Sequence, residues 1–367
     1  MSSVSICRPY RPPSPITRTR SVPDGEPQKA QTAQTVTTTE LRTDPITGRT
    51  VAVDLGACQR RDDFDLEPVR LEDAPAQCPL SEGREAEAGP EILAWREGGP
   101  ANAPGWSVRV VPNRHAMLRI EGQLDVGPNG LFDGRDGLGA HEVIVETPIH
   151  DQPLHTLDVD RVWRVFWAWR TRMRDLERDS RFVSLVAFKN HGRAAGARLD
   201  HSHSQLTAFP LVPPALAEKL RGAAQYLSIQ GRCVYCDVIA EELKDGRRVI
   251  SDQASILAIA PYASRVPFET CLMPRSHSAR FEDASDATLH ILATTFKAVM
   301  ARIDWALERP AYNLVLHTAP LSGEADAAFH WHLEILPRVT RYSGLEWGTG
   351  VHRNPVSPED AARALRT

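Results

Sequence analysis

Two histidine pairs with the same spacing, His201-Ser202-His203 and His330-Trp331-His332, restrict how this chain can be organised. Side chains two apart on extended backbone share a face, so each pair offers two imidazoles from one strand. Residues with metal-ligand chemistry precede both pairs in the same order. The first half runs Cys78, Ser81, His141, then His201 and His203; the second runs Cys233, Cys236, His277, then His330 and His332. The intervals differ, but the order and the final spacing agree, as in a duplicated unit. The expected organisation is a tail at 1–38, rich in Pro, Ser and Thr, followed by related units at 39–210 and 211–367.

Over 161–176, Val162, Phe166, Trp169, Met173 and Leu176 recur at helical spacing. Trp163, Trp167 and Trp169 read there as packing residues. Further helices are expected from Pro213-Pro214 to about Ile229, and between Asp283 and Pro310. Short apolar runs at 108–112, 118–120, 141–146, 181–189, 249–259, 312–316 and 328–336 read as strands. Strands grouped around a few long helices predict an α+β architecture rather than a doubly wound one.

The chain has 367 residues, 42% of them apolar, enough for a substantial core. Its formal charge of -4 lacks the basic excess that phosphate-backbone binding needs, so no nucleic-acid partner is expected. No apolar run approaches the roughly 20 residues that span a bilayer, so no membrane partner is expected and the protein reads as cytoplasmic. Six cysteines do not make a disulfide scaffold in a chain this long. The tight pair Cys233 and Cys236 reads instead as metal or redox chemistry.

Cys233 and Cys236 can present two thiolates to one zinc ion, with His277 and His330 as the two further donors of a tetrahedral site. Cys271 is a rival donor or a core residue. The first half offers Cys78, His141 and His201, with Ser81 in the place of a second cysteine. A hydroxyl is a poor zinc ligand, so that site either binds weakly, recruits another donor, or is empty. His203 suits attack on a nucleotide α-phosphorus, provided its other ring nitrogen is fixed. Gln205, on the same strand face, can donate to the charged phosphoryl oxygens. Gly192 and Gly196 allow close approach of backbone to phosphate. The alternatives for this HxHxQ pattern are a metal-only or a core role.

The run from Asn190 through Gly192, Gly196, His201 and His203 to Gln205 resembles the active-site signature of the galactose-1-phosphate uridylyltransferase family, within the histidine-triad superfamily. Cys78-Pro79, His141 to Glu146, Asn313 with His317, Phe329 to Arg338, and Gly344 to Gly350 match as well. The resemblance implies a two-lobed α+β fold of duplicated histidine-triad-like units, each a mainly antiparallel sheet with packed helices, and two-step nucleotidyl transfer through a covalent adduct on His203, steadied by Gln205. It places Asn113 and Asn190 near the nucleotide, His201 and His330 in two zinc sites, and Glu346 beside the acceptor. The implied partners are a nucleotide sugar, a sugar 1-phosphate or inorganic phosphate, and a second copy of the chain. The leading expectation is a UDP-hexose uridylyltransferase; the alternatives are an ADP-sugar or dinucleotide phosphorylase and a non-catalytic nucleotide-binding protein. Two positions depart from the family pattern. Ser81 replaces a cysteine, and Arg198 replaces a small hydroxyl residue, where it either clamps a phosphate or fills the pocket. Arg60 or Arg61 answers to a further basic position near the end of the first strands.

Overall fold

A computed structural model describes residues 38–56, 64, 68–69, 78–122, 131–132, 134 and 136–366. The expected tail, apart from Thr38, lies outside the described residues, as do Arg60 and Arg61. Strands β1 (Thr38–Thr43) and β2 (Thr50–Leu55) form an antiparallel hairpin. Ten further strands build one sheet: β3 (Leu93–Arg96), β4 (Trp106–Pro112), β5 (Ala140–Val145), β6 (Ser184–His191), β7 (His203–Phe209), β8 (Val249–Gln253), β9 (Ile256–Ile259), β10 (Thr270–Pro274), β11 (Tyr312–His317) and β12 (His332–Pro337). The short β13 (His352–Asn354) pairs in parallel with β2.

The order across the large sheet is β3-β4-β5-β7-β6-β11-β12-β10-β9-β8. Outward from the β6–β11 seam, each half runs fourth, fifth, third, second and first strand. The halves therefore repeat one topology, and all their pairings are antiparallel. At the seam Asn313 faces Asn190 and Tyr312 faces His191, so the two half-sheets are hydrogen-bonded into one.

Seven helices complete the described residues: α1 (Glu85–Ala88), α2 (Val159–Leu176), α3 (Pro214–Gln230), α4 (Val234–Asp245), α5 (Asp286–Leu307), α6 (Gly344–Thr349) and α7 (Pro358–Arg366). Asp158 and Ser285 cap α2 and α5 by accepting the backbone N–H groups of Arg161 and Thr288. Among the described residues no helix is long and apolar enough to cross a membrane. The run at 118–120 forms no strand beyond a bridge from Arg119 to Leu138. The run at 249–259 is two strands, β8 and β9, reversed at Ala254, whose φ is 49°.

Helices α2 and α5 occupy corresponding places in the two halves, each between the third and fourth strands. They pack together over Ile144, Leu206, Leu314 and Leu333, all fully buried. Phe166 meets Trp169 and Phe296 edge-on, with centroids 5.4 and 5.7 Å apart. Because Phe296 is wholly buried between the duplicated halves, Phe296→Ala should lower the unfolding free energy by about 3–5 kcal/mol. Chemical denaturation measures this; a loss below about 1 kcal/mol would contradict a shared core.

Candidate active site

Strand β7 has two dissimilar faces. Ser204, Leu206 and Ala208 are buried toward α2, and the Trp169 indole donates to Ser204 Oγ at 2.8 Å. Alternation therefore turns His203 and Gln205 to the opposite face. His203 Nδ1 lies 2.7 Å from the carbonyl oxygen of His201. A carbonyl only accepts, so Nδ1 carries the proton and Nε2 keeps a lone pair. Burial, followed by the Lys189 charge, lowers the His203 pKa and favours the neutral ring. The Lys189 ammonium is itself buried, donating to Glu146 at 2.7 Å, Ser202 Oγ at 3.1 Å and the His203 carbonyl at 3.0 Å.

Gln205 is held by two neighbours. His141 Nδ1 accepts the Met117 N–H at 3.1 Å, which leaves Nε2 to donate to Gln205 Oε1 at 2.8 Å. Asn113 Nδ2 lies 3.3 Å from the same oxygen. With its oxygen engaged, the Gln205 amide has its NH2 to offer elsewhere. His141 does not join Cys78 and His201, contrary to the sequence expectation. It sits inside β5, where cross-strand pairing of Val143 with Gln205 puts it on the Gln205 face.

The residue beside Cys78 and His201 is His150, in the connection after β5; the donor atoms of these three lie within 4.8 Å of one another. His201 Nε2 is tied to the Thr147 carbonyl at 2.7 Å, and Nδ1 faces Cys78 Sγ at 3.7 Å. Neither His150 nitrogen has a hydrogen-bond partner although both are buried. Ser81 lies on the Cys78 turn, its N–H donating to the Cys78 carbonyl at 3.2 Å. Sequence reasoning missed His150 because it sought the donor within the strand. The second half held a clue, since His277 also follows its strand, β10, rather than lying in it.

Cys233, Cys236, His277 and His330 come together as expected, from the start of α4, the segment after β10 and the segment before β12. His330 and His277 give their Nε2 protons to the Pro274 and Asp326 carbonyls, each at 2.8 Å. Their Nδ1 atoms face Cys236 Sγ at 3.9 and 3.5 Å. Burial and the neighbouring Cys233 push the Cys236 thiol up to about 11. A cation would reverse that shift, so the donor set suits a metal. Burial likewise lowers His201 and His330 to about 4, keeping both neutral, as ligands must be.

Asn190 Oδ1 accepts from Asn313 Nδ2 at 2.8 Å, across the seam. Gly192 has φ +80°, and a Cβ there would come within 2.6 Å of Val69 and 2.9 Å of Ala311. Its lack of a side chain therefore serves the fold directly. Gly196, at φ +86°, ends the following turn, and Arg198 beyond it is exposed. Glu346 is engaged in capping α6, accepting the Ser343 N–H at 2.7 Å.

Duplicated antiparallel half-sheets, each with an HxH pair at the start of its fifth strand, define a duplicated α+β protein. Residues 113–213 match the model of the galactose-1-phosphate uridyl transferase N-terminal domain, and 219–345 that of its C-terminal domain. An ADP-glucose phosphorylase of Arabidopsis thaliana is 33% identical over 332 residues, 89% of this chain and 92% of the relative. A galactose-1-phosphate uridylyltransferase of Thermotoga maritima is 29% identical over 245 residues, 65% of this chain and 76% of the relative. The crystal structure of an Arabidopsis thaliana ADP-glucose phosphorylase with bound ADP-glucose superposes with a TM-score of 0.76 at 32% identity, covering 90% of this chain and 98% of that one. The chain belongs to the galactose-1-phosphate uridylyltransferase family and is a nucleotidyltransferase.

His141 and His150 have separable roles. His141→Ala should leave bound metal unchanged while slowing nucleotidyl transfer roughly 10-fold or more, short of the 10²–10³ of losing a phosphoryl-oxygen donor outright. His150→Ala should instead lower metal content. Metal analysis beside rate measurements checks this, and metal loss in His141→Ala would return His141 to the ligand set.

Proposed function

We propose that the protein transfers a nucleotidyl group in two steps through His203. The lone pair of Nε2 attacks the α-phosphorus of a nucleotide sugar, and the bond from phosphorus to the bridging oxygen breaks, releasing a sugar 1-phosphate. An oxygen of a second phosphate then displaces Nε2, returning neutral His203 and forming the new nucleotide. The observation that carries this reading is the fixed Nδ1 of His203, 2.7 Å from the His201 carbonyl, beside Gln205, whose oxygen is occupied. The Gln205 NH2 steadies the phosphoryl oxygens, and Asn113 and His141 position it.

An ADP-sugar donor with inorganic phosphate as acceptor is supported by the relative that matches along 89% of the chain. An exposed guanidinium at Arg198 suits capture of a small, doubly charged acceptor. The relatives named as galactose-1-phosphate uridylyltransferases support the second reading, a UDP-hexose donor with a hexose 1-phosphate acceptor.

Zinc fits the Cys233, Cys236, His277 and His330 group by its two-sulfur, two-nitrogen donor set. It would tie α4 to the second half-sheet. The same ion at Cys78, His150 and His201 would fix the backbone whose carbonyl orients His203. Bound there, zinc supplies structure, while the chemistry stays with His203 and Gln205.

Incubated with ADP-glucose and no phosphate, the protein should gain one AMP-sized mass that His203→Ala lacks and that phosphate discharges as ADP. A UMP-sized mass from UDP-glucose alone would select the second reading, and equal labelling of His203→Ala would sink both. Because the His203 pKa lies below its ordinary value of 6.5, the neutral ring persists as pH falls through that value. More than half of the labelling rate measured at pH 8 should therefore remain at pH 6.5.

A further inference from the structure

The second half carries an altered counterpart of the site. His332 Nδ1 donates to the His330 carbonyl at 2.9 Å, as His203 does to His201. Glu334 pairs across the sheet with Cys271 as Gln205 pairs with Val143, so Glu334 stands in the glutamine position. Glu269, two residues before Cys271, takes the place His141 has two residues before Val143. The neutral amide–imidazole network is thereby replaced by an ionised one. Arg265 bonds Glu269 at 2.7 Å and Glu334 at 2.8 Å. Lys219 Nζ reaches Glu334 at 2.6 Å and His332 Nε2 at 2.9 Å. The lone pair equivalent to the attacking one already accepts from Lys219, so His332 is disarmed as a nucleophile.

The space in front of it is nevertheless retained. A cavity of about 390 Å³ lies between this ionised floor, α4 and the β1–β2 turn, a volume typical of small-molecule pockets. Ile46, Val238, Ile259 and Met273 give it apolar walls. Tyr235, only 1% exposed, is among the lining residues, and its buried hydroxyl has no hydrogen-bond partner. A buried hydroxyl without a partner points to a missing polar ligand. Six carboxylates line the cavity against four basic side chains. That excess of negative charge disfavours any phosphate.

We infer that this cavity binds a free nucleoside, without phosphate and without covalent chemistry. The apolar walls receive the base, while the carboxylates and the Tyr235 hydroxyl receive polar edges and ribose hydroxyls. The choice of a nucleoside rests on the first half being a nucleotide site; the preference for an uncharged ligand rests on the cavity itself.

Adenosine and uridine titrated into the full-length protein with AMP saturating the first site should show one remaining equivalent of nucleoside bound. Val238→Trp, which fills the cavity from α4, should weaken that binding at least tenfold and leave ADP-glucose turnover unchanged. Tyr235→Phe should weaken it several-fold. Absence of binding under saturating AMP, full displacement by AMP, or binding unaffected by both substitutions would overturn the inference. A protein that forms no adduct at His203 yet binds nucleoside in a Val238-dependent manner would fail the catalytic reading alone.

Discussion

The hydrogen bond from His203 Nδ1 to the carbonyl of His201 joins the Cys78, His150 and His201 group to the ring proposed as nucleophile within three residues of chain. It selects one tautomer and aims Nε2 away from the backbone. It also places that carbonyl beside His201, whose own ring is fixed between the Thr147 carbonyl and Cys78. A ring that had to find its tautomer and direction anew in each cycle would lose much of the advantage of a pre-oriented nucleophile. The second half repeats the bond at His332, which shows that the motif's geometry belongs to the strand and its chemistry to the neighbours.

Those neighbours differ in charge far more than in position. Around Gln205 stand an amide and an imidazole; around Glu334 stand Arg265, Lys219 and Glu269. Burial opposes ionisation of Glu334, but the Arg265 and Lys219 charges outweigh it and hold the carboxylate well below its usual range. Removing one partner from such a buried group typically costs about 3–5 kcal/mol, because the remaining charge is stranded. The second half is thus committed to its ionised floor, and the first is left with a donor amide and an unencumbered lone pair. One sheet topology supports both outcomes because the β6–β11 seam makes the halves a single hydrogen-bonded body.

The long helices were legible in the sequence because their apolar periodicity and end signals agreed. The expected 161–176 is observed as Val159–Leu176, and Pro213-Pro214 opens α3. Short elements were less so. The β8–β9 hairpin reads as one apolar run because its reversal uses Ala254 rather than glycine, and α4 was hidden because its first turn carries the CxxC pair. The histidine–glutamine motif was visible as a pattern, but the partners of Gln205 were not. His141 and His150 are both histidines at plausible intervals, and only the strand register separates a ring that bonds the Gln205 amide inside β5 from one beside Cys78 and His201 beyond it. The fate of Glu334 was equally unreadable, since Lys219 and Arg265 reach it from 115 and 69 residues away.

In the proposed reaction, transfer proceeds through His203 as two successive displacements at one phosphorus. Each in-line displacement inverts that centre, so the full reaction is stereochemically diagnostic. With a donor made chiral by sulfur at the α-phosphorus, the product nucleotide should show net retention of configuration. Net inversion would mean that the acceptor attacks the donor directly, and would contradict a covalent intermediate on His203.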